Sequence, residues 1–165
     1  MKRLYFRETQ KFKQLWLWIL LSALAGIWIW GIVQQIFLGI PFGNNPASDL
    51  GLILIGLIVI SPIILIFKLT LITEVRKDAV YYKFPPLQFK FKKIEPGDIE
   101  EYFTRQYKPL SEYGGWGIRI GRKGKAFNVS GNMGMQFILK NGKKLLIGTK
   151  KPEEFQKAMD KMIGK

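Results

Sequence analysis

The chain has 165 residues, 26 of them Lys or Arg against 12 Asp or Glu, for a net charge of +14. It has no His and no Cys, which excludes a disulfide framework, a thiolate nucleophile, imidazole base chemistry and any zinc site built on those ligands. An apolar fraction of 48% beside such a charge implies that the two properties are segregated along the chain.

The charge is distributed in three blocks. Residues 1–14 hold Lys2, Arg3, Arg7, Lys11 and Lys13 against Glu8, and form a basic N-terminal segment of net charge +4. Residues 15–67 hold one charged residue, Asp49. Residues 68–165 carry the remaining net charge of +11. The uncharged block breaks at Pro41, Gly43, Asn44, Asn45 and Pro46, a turn-rich run. Leu15–Ile40 and Leu50–Phe67 on either side are long enough to cross a ~30 Å hydrocarbon core, the second extending toward residue 70. A two-helix transmembrane hairpin is therefore expected over residues 15–72, with spans at about 15–40 and 50–70. A cleaved signal peptide fits poorly, because its apolar region runs to only about 7–15 residues. Basic residues flank both spans and are absent from the connecting loop, so the positive-inside rule places both termini in the cytoplasm.

Within the hairpin, Trp16 and Trp18 suit an interfacial belt, and Trp28 and Trp30 suit packing against lipid or the other helix. Gln34 and Gln35 are expected at the headgroups. Pro62 implies a tolerated kink. Ser22 and Gly26 form a small-xxx-small pair that permits close helix approach. Neither span holds a charge deep inside, which argues against proton relay, ion-coupled transport and voltage sensing.

From residue 68 the pattern changes to short strands. Thr70–Arg76, Ala79–Phe84, Gln88–Ile94, Ile99–Tyr107, Trp116–Ile120, the Phe127–Val129 region, Met133–Leu139 and Lys143–Gly148 supply six or seven strands separated by turn signals, Asn141-Gly142 the strongest. Pro152 suits a first helical position, and Phe155, Ala158, Met159 and Met162 make one apolar stripe. The fold class expected is α+β: a transmembrane hairpin, then a small antiparallel β-barrel or sandwich over residues 73–165, capped by a C-terminal helix. That is the pleckstrin-homology-like architecture.

The run Tyr113-Gly114-Gly115-Trp116-Gly117-Ile118-Arg119, followed by Asn128-Val129-Ser130-Gly131, Asn141-Gly142, Leu146-Ile147-Gly148-Thr149 and Pro152-Glu153-Glu154-Phe155, resembles small, largely uncharacterised bacterial membrane proteins. They have two N-terminal spans and a bacterial pleckstrin-homology-like cytoplasmic domain. The resemblance implies a multi-pass protein of the bacterial inner membrane. It carries over no activity, cofactor or catalytic residue.

Two basic clusters are candidate sites. Arg76, Lys77, Lys83, Lys90, Lys92 and Lys93 interleave with Phe84, Leu87, Phe89 and Phe91, a composition suited to an anionic membrane surface. The bland alternative turns the aromatics into the core and leaves the lysines solvated. Trp116, Arg119, Arg122, Lys123 and Lys125 form a second cluster, an interaction loop or an ordinary solvated one. The glycine-rich run around it lacks phosphate-loop spacing and reads as turns. Asn128-Val129-Ser130 matches a glycosylation acceptor, which a cytoplasmic bacterial domain does not use. Glu100 and Glu101 are adjacent on a strand and so point to opposite faces.

The function expected is a non-enzymatic, membrane-anchored interaction module that binds lipid headgroups, a protein partner or copies of itself, with the lipid bilayer as its constant partner. No metal, cofactor or nucleic acid is expected. The alternative is a small oligomeric pore or a transporter-accessory subunit.

Overall fold

The computed structural model describes residues 3–165, and the chain divides into two compact units. One is the helical segment Lys13–Lys68; the other joins the residues up to Phe12 to Leu69–Lys165.

The helical unit contains α1 (Leu15–Ile32), which continues through a π-helical turn at Val33–Phe37, and α2 (Asp49–Lys68). Both are apolar around their whole circumference and long enough to cross a bilayer, and little of either is buried. Their mutual packing centres on Trp28, whose indole Nε1 donates to the Leu52 carbonyl at 2.9 Å. The ring lies over Gly56, where a Cβ would sit 2.0 Å from Trp28 Cζ2. Trp28 thus packs on the other helix. Glutamines at the end of the first helix hold the loop. Gln35 Nε2 donates to Ala47 O at 2.7 Å and to Asp49 Oδ1 at 2.8 Å, and Gln34 Nε2 donates to Pro41 O at 3.2 Å. Gly26 meets nothing within 4 Å, so the small-residue pair is not the surface where these two helices meet.

The second unit contains nine strands among the described residues: β1 (Leu4–Lys11), β2 (Thr70–Arg76), β3 (Val80–Phe84), β4 (Gln88–Ile94), β5 (Ile99–Gln106), β6 (Gly117–Gly121), β7 (Gly124–Asn128), β8 (Met133–Leu139) and β9 (Lys144–Gly148). A short α3 (Pro109–Tyr113) and the C-terminal α4 (Pro152–Ile163) complete it. One sheet has the order β1-β2-β3-β4 and is antiparallel throughout. The other has the order β5-β8-β9-β7-β6, with β7 and β9 parallel.

Two expectations are corrected here. The N-terminal segment is not a separate basic tail: β1 is a strand of the first sheet, paired with β2 from Leu4↔Arg76 to Lys11↔Thr70. Its inward positions are Phe6, Glu8 and Gln10. Two of the three are polar, so the apolar alternation that marks a strand is missing. They can be buried because they are bonded. Glu8 accepts from Thr149 Oγ1 and the Lys150 amide, and Gln10 Nε2 donates to Gly148 O. Nor is there a closed barrel. The strands form two separate sheets, one with β1 and β4 as its edges and the other with β5 and β6, among the described residues.

The core lies between the sheets and α4. Leu71, Val75, Val80 and Phe84 come from the first sheet, and Phe127, Met135, Phe137 and Ile147 from the second. Phe155 of α4 links them: its ring stacks on Phe6 at 4.8 Å and meets Phe137 at 6.3 Å. The helical stripe is buried at Phe155, Ala158 and Met159. Tyr107, Tyr113, Ala126 and Leu146 make a smaller cluster that includes one residue of α3.

Candidate functional site

The basic–aromatic segment forms β3, the Pro85-Pro86-Leu87 turn and the edge strand β4. The pairing Val80↔Ile94, Tyr81↔Lys93 and Tyr82↔Lys92 gives way to Phe84↔Gln88, so β4 bulges across residues 89–91. The aromatics divide. Phe84 is fully buried, while Phe89 is 71% exposed and Leu87 57%. Phe91 sits on the outer face against Tyr81, with ring centroids 6.2 Å apart and Lys83 Nζ 4.6 Å from the Phe91 centroid. Core burial therefore explains Phe84 and leaves Leu87, Phe89 and Phe91 on the surface.

The six basic residues do not form one patch. Thr70 N donates to Pro85 O at 3.0 Å, which places the β3–β4 turn at the end of the sheet where Lys11 pairs with Thr70. At that end the chain passes into the helical unit and returns from it. Arg76 lies six residues along β2, about 20 Å away at ~3.3 Å per residue, and Lys77 follows it. Arg76 is also occupied: its guanidinium donates to Glu74 Oε2 and lies 4.6 Å from the Tyr81 ring centroid. Lys93 pairs with Glu95, and that hydrogen bond raises its pKa. Lys83, Lys90 and Lys92 have no carboxylate within ion-pair distance among the described residues. Lys92 pairs with the buried Tyr82 and so lies on the inner face, and the outer site reduces to Lys83 and Lys90 with Leu87, Phe89 and Phe91.

The second cluster is dispersed as well. Trp116 Nε1 donates to Gly131 O at 3.0 Å, and Arg119 Nε donates to Trp116 O at 2.9 Å, so both brace the segment that leads into β6. Trp116 lines a groove of about 610 Å³ with residues 106–112 and Asn132. Arg122 and Lys123 form the two-residue turn between Gly121 and Gly124. Gly124 has φ +101°, and a Cβ there would sit 2.3 Å from Lys144 O, so this turn requires glycine. Lys125 starts back along β7 with its Nζ 5.2 Å from the Phe127 ring. Asn128 is fully buried and accepts from Gly117 N at 2.9 Å, which makes the glycosylation match structural.

An ion-pair network not anticipated from sequence holds α3 to the second sheet. Arg105 Nη2 donates to Glu112 Oε2 at 2.7 Å, and Arg105 Nε donates to Gln136 Oε1 at 3.1 Å. Arg105 and the Lys108 amide hold the Glu112 carboxyl below its ordinary range, against a smaller opposing effect of burial. The residues are 7 apart for the pair and 31 for the glutamine contact, which no local motif links.

Residues 2–164 match a family model described as a family of unknown function (DUF6141), and the protein belongs to that family. No curated protein and no solved structure matches it.

Proposed function

For this member of a family of unknown function, we propose a membrane-anchored, non-enzymatic interaction module. The helical hairpin spans the bilayer, and the β unit is a pleckstrin-homology-like domain held at the cytoplasmic face. The observation that carries the reading is the hairpin itself. Two helices with apolar side chains exposed on all sides, such as Ile27, Ile29, Leu57 and Ile58, have no aqueous environment in which they are stable. Two sheets with one C-terminal helix are consistent with the pleckstrin-homology-like assignment.

The hairpin is inserted between two adjacent paired strands, so one end of the first sheet is tethered to the bilayer. The β3–β4 turn belongs to that end. Leu87 and Phe89 supply apolar side chains for the interface, and Lys83 and Lys90 supply charge, each lysine near an anionic leaflet contributing about 1 kcal/mol. Arg76 and Lys77 belong to the far end, Lys93 is paired with Glu95, and none of the three takes part in that contact. Oligomeric pores and transporter subunits are less well supported, because neither span carries a charged residue apart from Asp49 and Lys68 at the ends of α2.

The absence of native cysteine allows a direct test. Leu87→Cys and Lys77→Cys, each labelled with an environment-sensitive dye, are reconstituted as full chains into vesicles of phosphatidylcholine with or without phosphatidylglycerol. The label at 87 shifts to the blue when phosphatidylglycerol is present, and the label at 77 does not. Equal responses at the two positions would sink the proposed surface. Extraction of the full chain from cell membranes by alkaline carbonate would sink the anchor.

A further inference from the structure

The inner face of β4 carries a lysine where a sheet facing a core ordinarily places an apolar side chain. Val80, Tyr82 and Phe84 of β3 are buried, and directly paired residues share a face. Ile94, opposite Val80, is buried with them, and Lys92, opposite Tyr82, points the same way. On the second sheet Phe127 is fully buried, its ring 4.8 Å from that of Tyr82. Lys125 lies two residues earlier on β7, on the same face, with Nζ 5.2 Å from the Phe127 centroid. Lys125 Nζ thus lies against this aromatic pair, and the register turns the exposed Lys92 of the other sheet to the same side. Neither has a carboxylate within ion-pair distance among the described residues. Burial first, and the charge of Lys92 second, hold Lys125 below the usual lysine range.

An inward lysine on an edge strand blocks pairing with other chains, which accounts for Lys92. It does not account for Lys125. β7 is an interior strand, flanked by β9 and β6, with no edge to protect. The Phe127 ring offsets part of the repulsion between the two cations, and an anion beside them would offset the rest. We propose that Lys92 and Lys125 form an anion site beside the Tyr82–Phe127 contact, built for a phosphate-type oxyanion, either free phosphate or the phosphodiester of a lipid headgroup. Lysine suits this ligand, because its ammonium is a compact charge with rotatable donors. Ile120, paired with Lys125 and highly exposed, adds an apolar side chain beside the site. The site does not depend on the contact assigned to Leu87 and Phe89, and either can fail without the other.

The test uses the full chain with its lysines reductively 13C-methylated, the Lys92 and Lys125 signals being assigned through Lys92→Gln and Lys125→Gln. In one arm, inorganic phosphate is titrated against the protein in neutral detergent, with ionic strength held constant by chloride. In the other, the protein is placed in phosphatidylcholine nanodiscs with or without phosphatidylglycerol. The expected result is a saturable shift of both signals, larger than that of Lys143 or Lys150, with each Gln variant abolishing the response of the remaining lysine. Saturation by phosphate identifies a free oxyanion as sufficient, whereas a shift only with phosphatidylglycerol identifies the headgroup. No shift in either arm overturns the site. So does a non-saturating shift shared by other surface lysines and unchanged in the Gln variants.

Discussion

Phe6→Ala measures whether the N-terminal segment is part of the β unit. Phe6 is 5% exposed and its ring stacks on Phe155 at 4.8 Å with an interplanar angle of 13°. An aromatic side chain buries about 150–250 Å². At ~25 cal/mol per Å² this corresponds to roughly 4–6 kcal/mol as an upper bound, since the unfolded chain already hides part of the surface. Core Phe→Ala changes cost about 3–5 kcal/mol once cavity relaxation is included. A loss of about 3–4 kcal/mol is therefore expected, a large share of the ~5–15 kcal/mol that holds a typical domain. The control is Leu4→Ala on the same strand, where the side chain is 49% exposed and the change should stay within about 0.5 kcal/mol. Both are read by pulse proteolysis of the full chain in detergent across a urea series, following fragments of the β unit so that the helices do not enter the midpoint. If Phe6→Ala and Leu4→Ala give equal midpoints, β1 does not contribute to the core and the assignment of residues 4–11 fails.

Gly56→Leu should separate α1 from α2, because the added side chain occupies the space of the Trp28 ring and breaks its bond to the Leu52 carbonyl; loss of the Trp28 emission shift in detergent reads this, with Gly26→Ala, where nothing lies within 4 Å, as the silent comparison. Gly124→Ala should cost more than about 2 kcal/mol, combining left-handed backbone strain of ~1–3 kcal/mol with a clash against Lys144 O; a urea midpoint unchanged from wild type would refute the turn geometry. Glu112 links stability to pH. Its pKa is lowered in the folded state, so its contribution is fully present above the ordinary value of 4.5 and is lost as pH falls through the folded value. The urea midpoint of the wild type should therefore drop below pH 4.5 more steeply than that of Glu112→Gln, and parallel curves would contradict the Arg105–Glu112 pairing.

Much of the architecture can be read along the chain. The two apolar helices, most of the strands after residue 68 and α4 follow from charge segregation, alternation and a single stripe ending at Met162, because each is a local periodic pattern with turn residues at its ends. α3 and β1 are less visible. α3 is a five-residue turn. β1 hides its strand character behind Glu8 and Gln10, whose burial depends on partners about 140 positions away at Gly148, Thr149 and Lys150.

The candidate site divides in the same way. Composition alone marks Lys83–Lys93 as basic and aromatic, and it excludes His- and Cys-based chemistry anywhere in the chain. Composition does not say which aromatic is buried. Phe84 and Phe91 look alike in sequence, yet one fills the core and the other lies under Lys83 on the outside, because the bulge in β4 and the pairing to β3 set the faces. It also treats Arg76 and Lys90 as neighbours, although the hairpin geometry puts them toward opposite ends of a sheet. Lys92 and Lys125, 33 positions apart, come to the same side of the two sheets only through the edge-on contact of Tyr82 with Phe127. Periodicity fixes elements because it is a property of consecutive residues. Register, sheet order and facing partners depend on which elements meet, and that is decided only when the whole core packs.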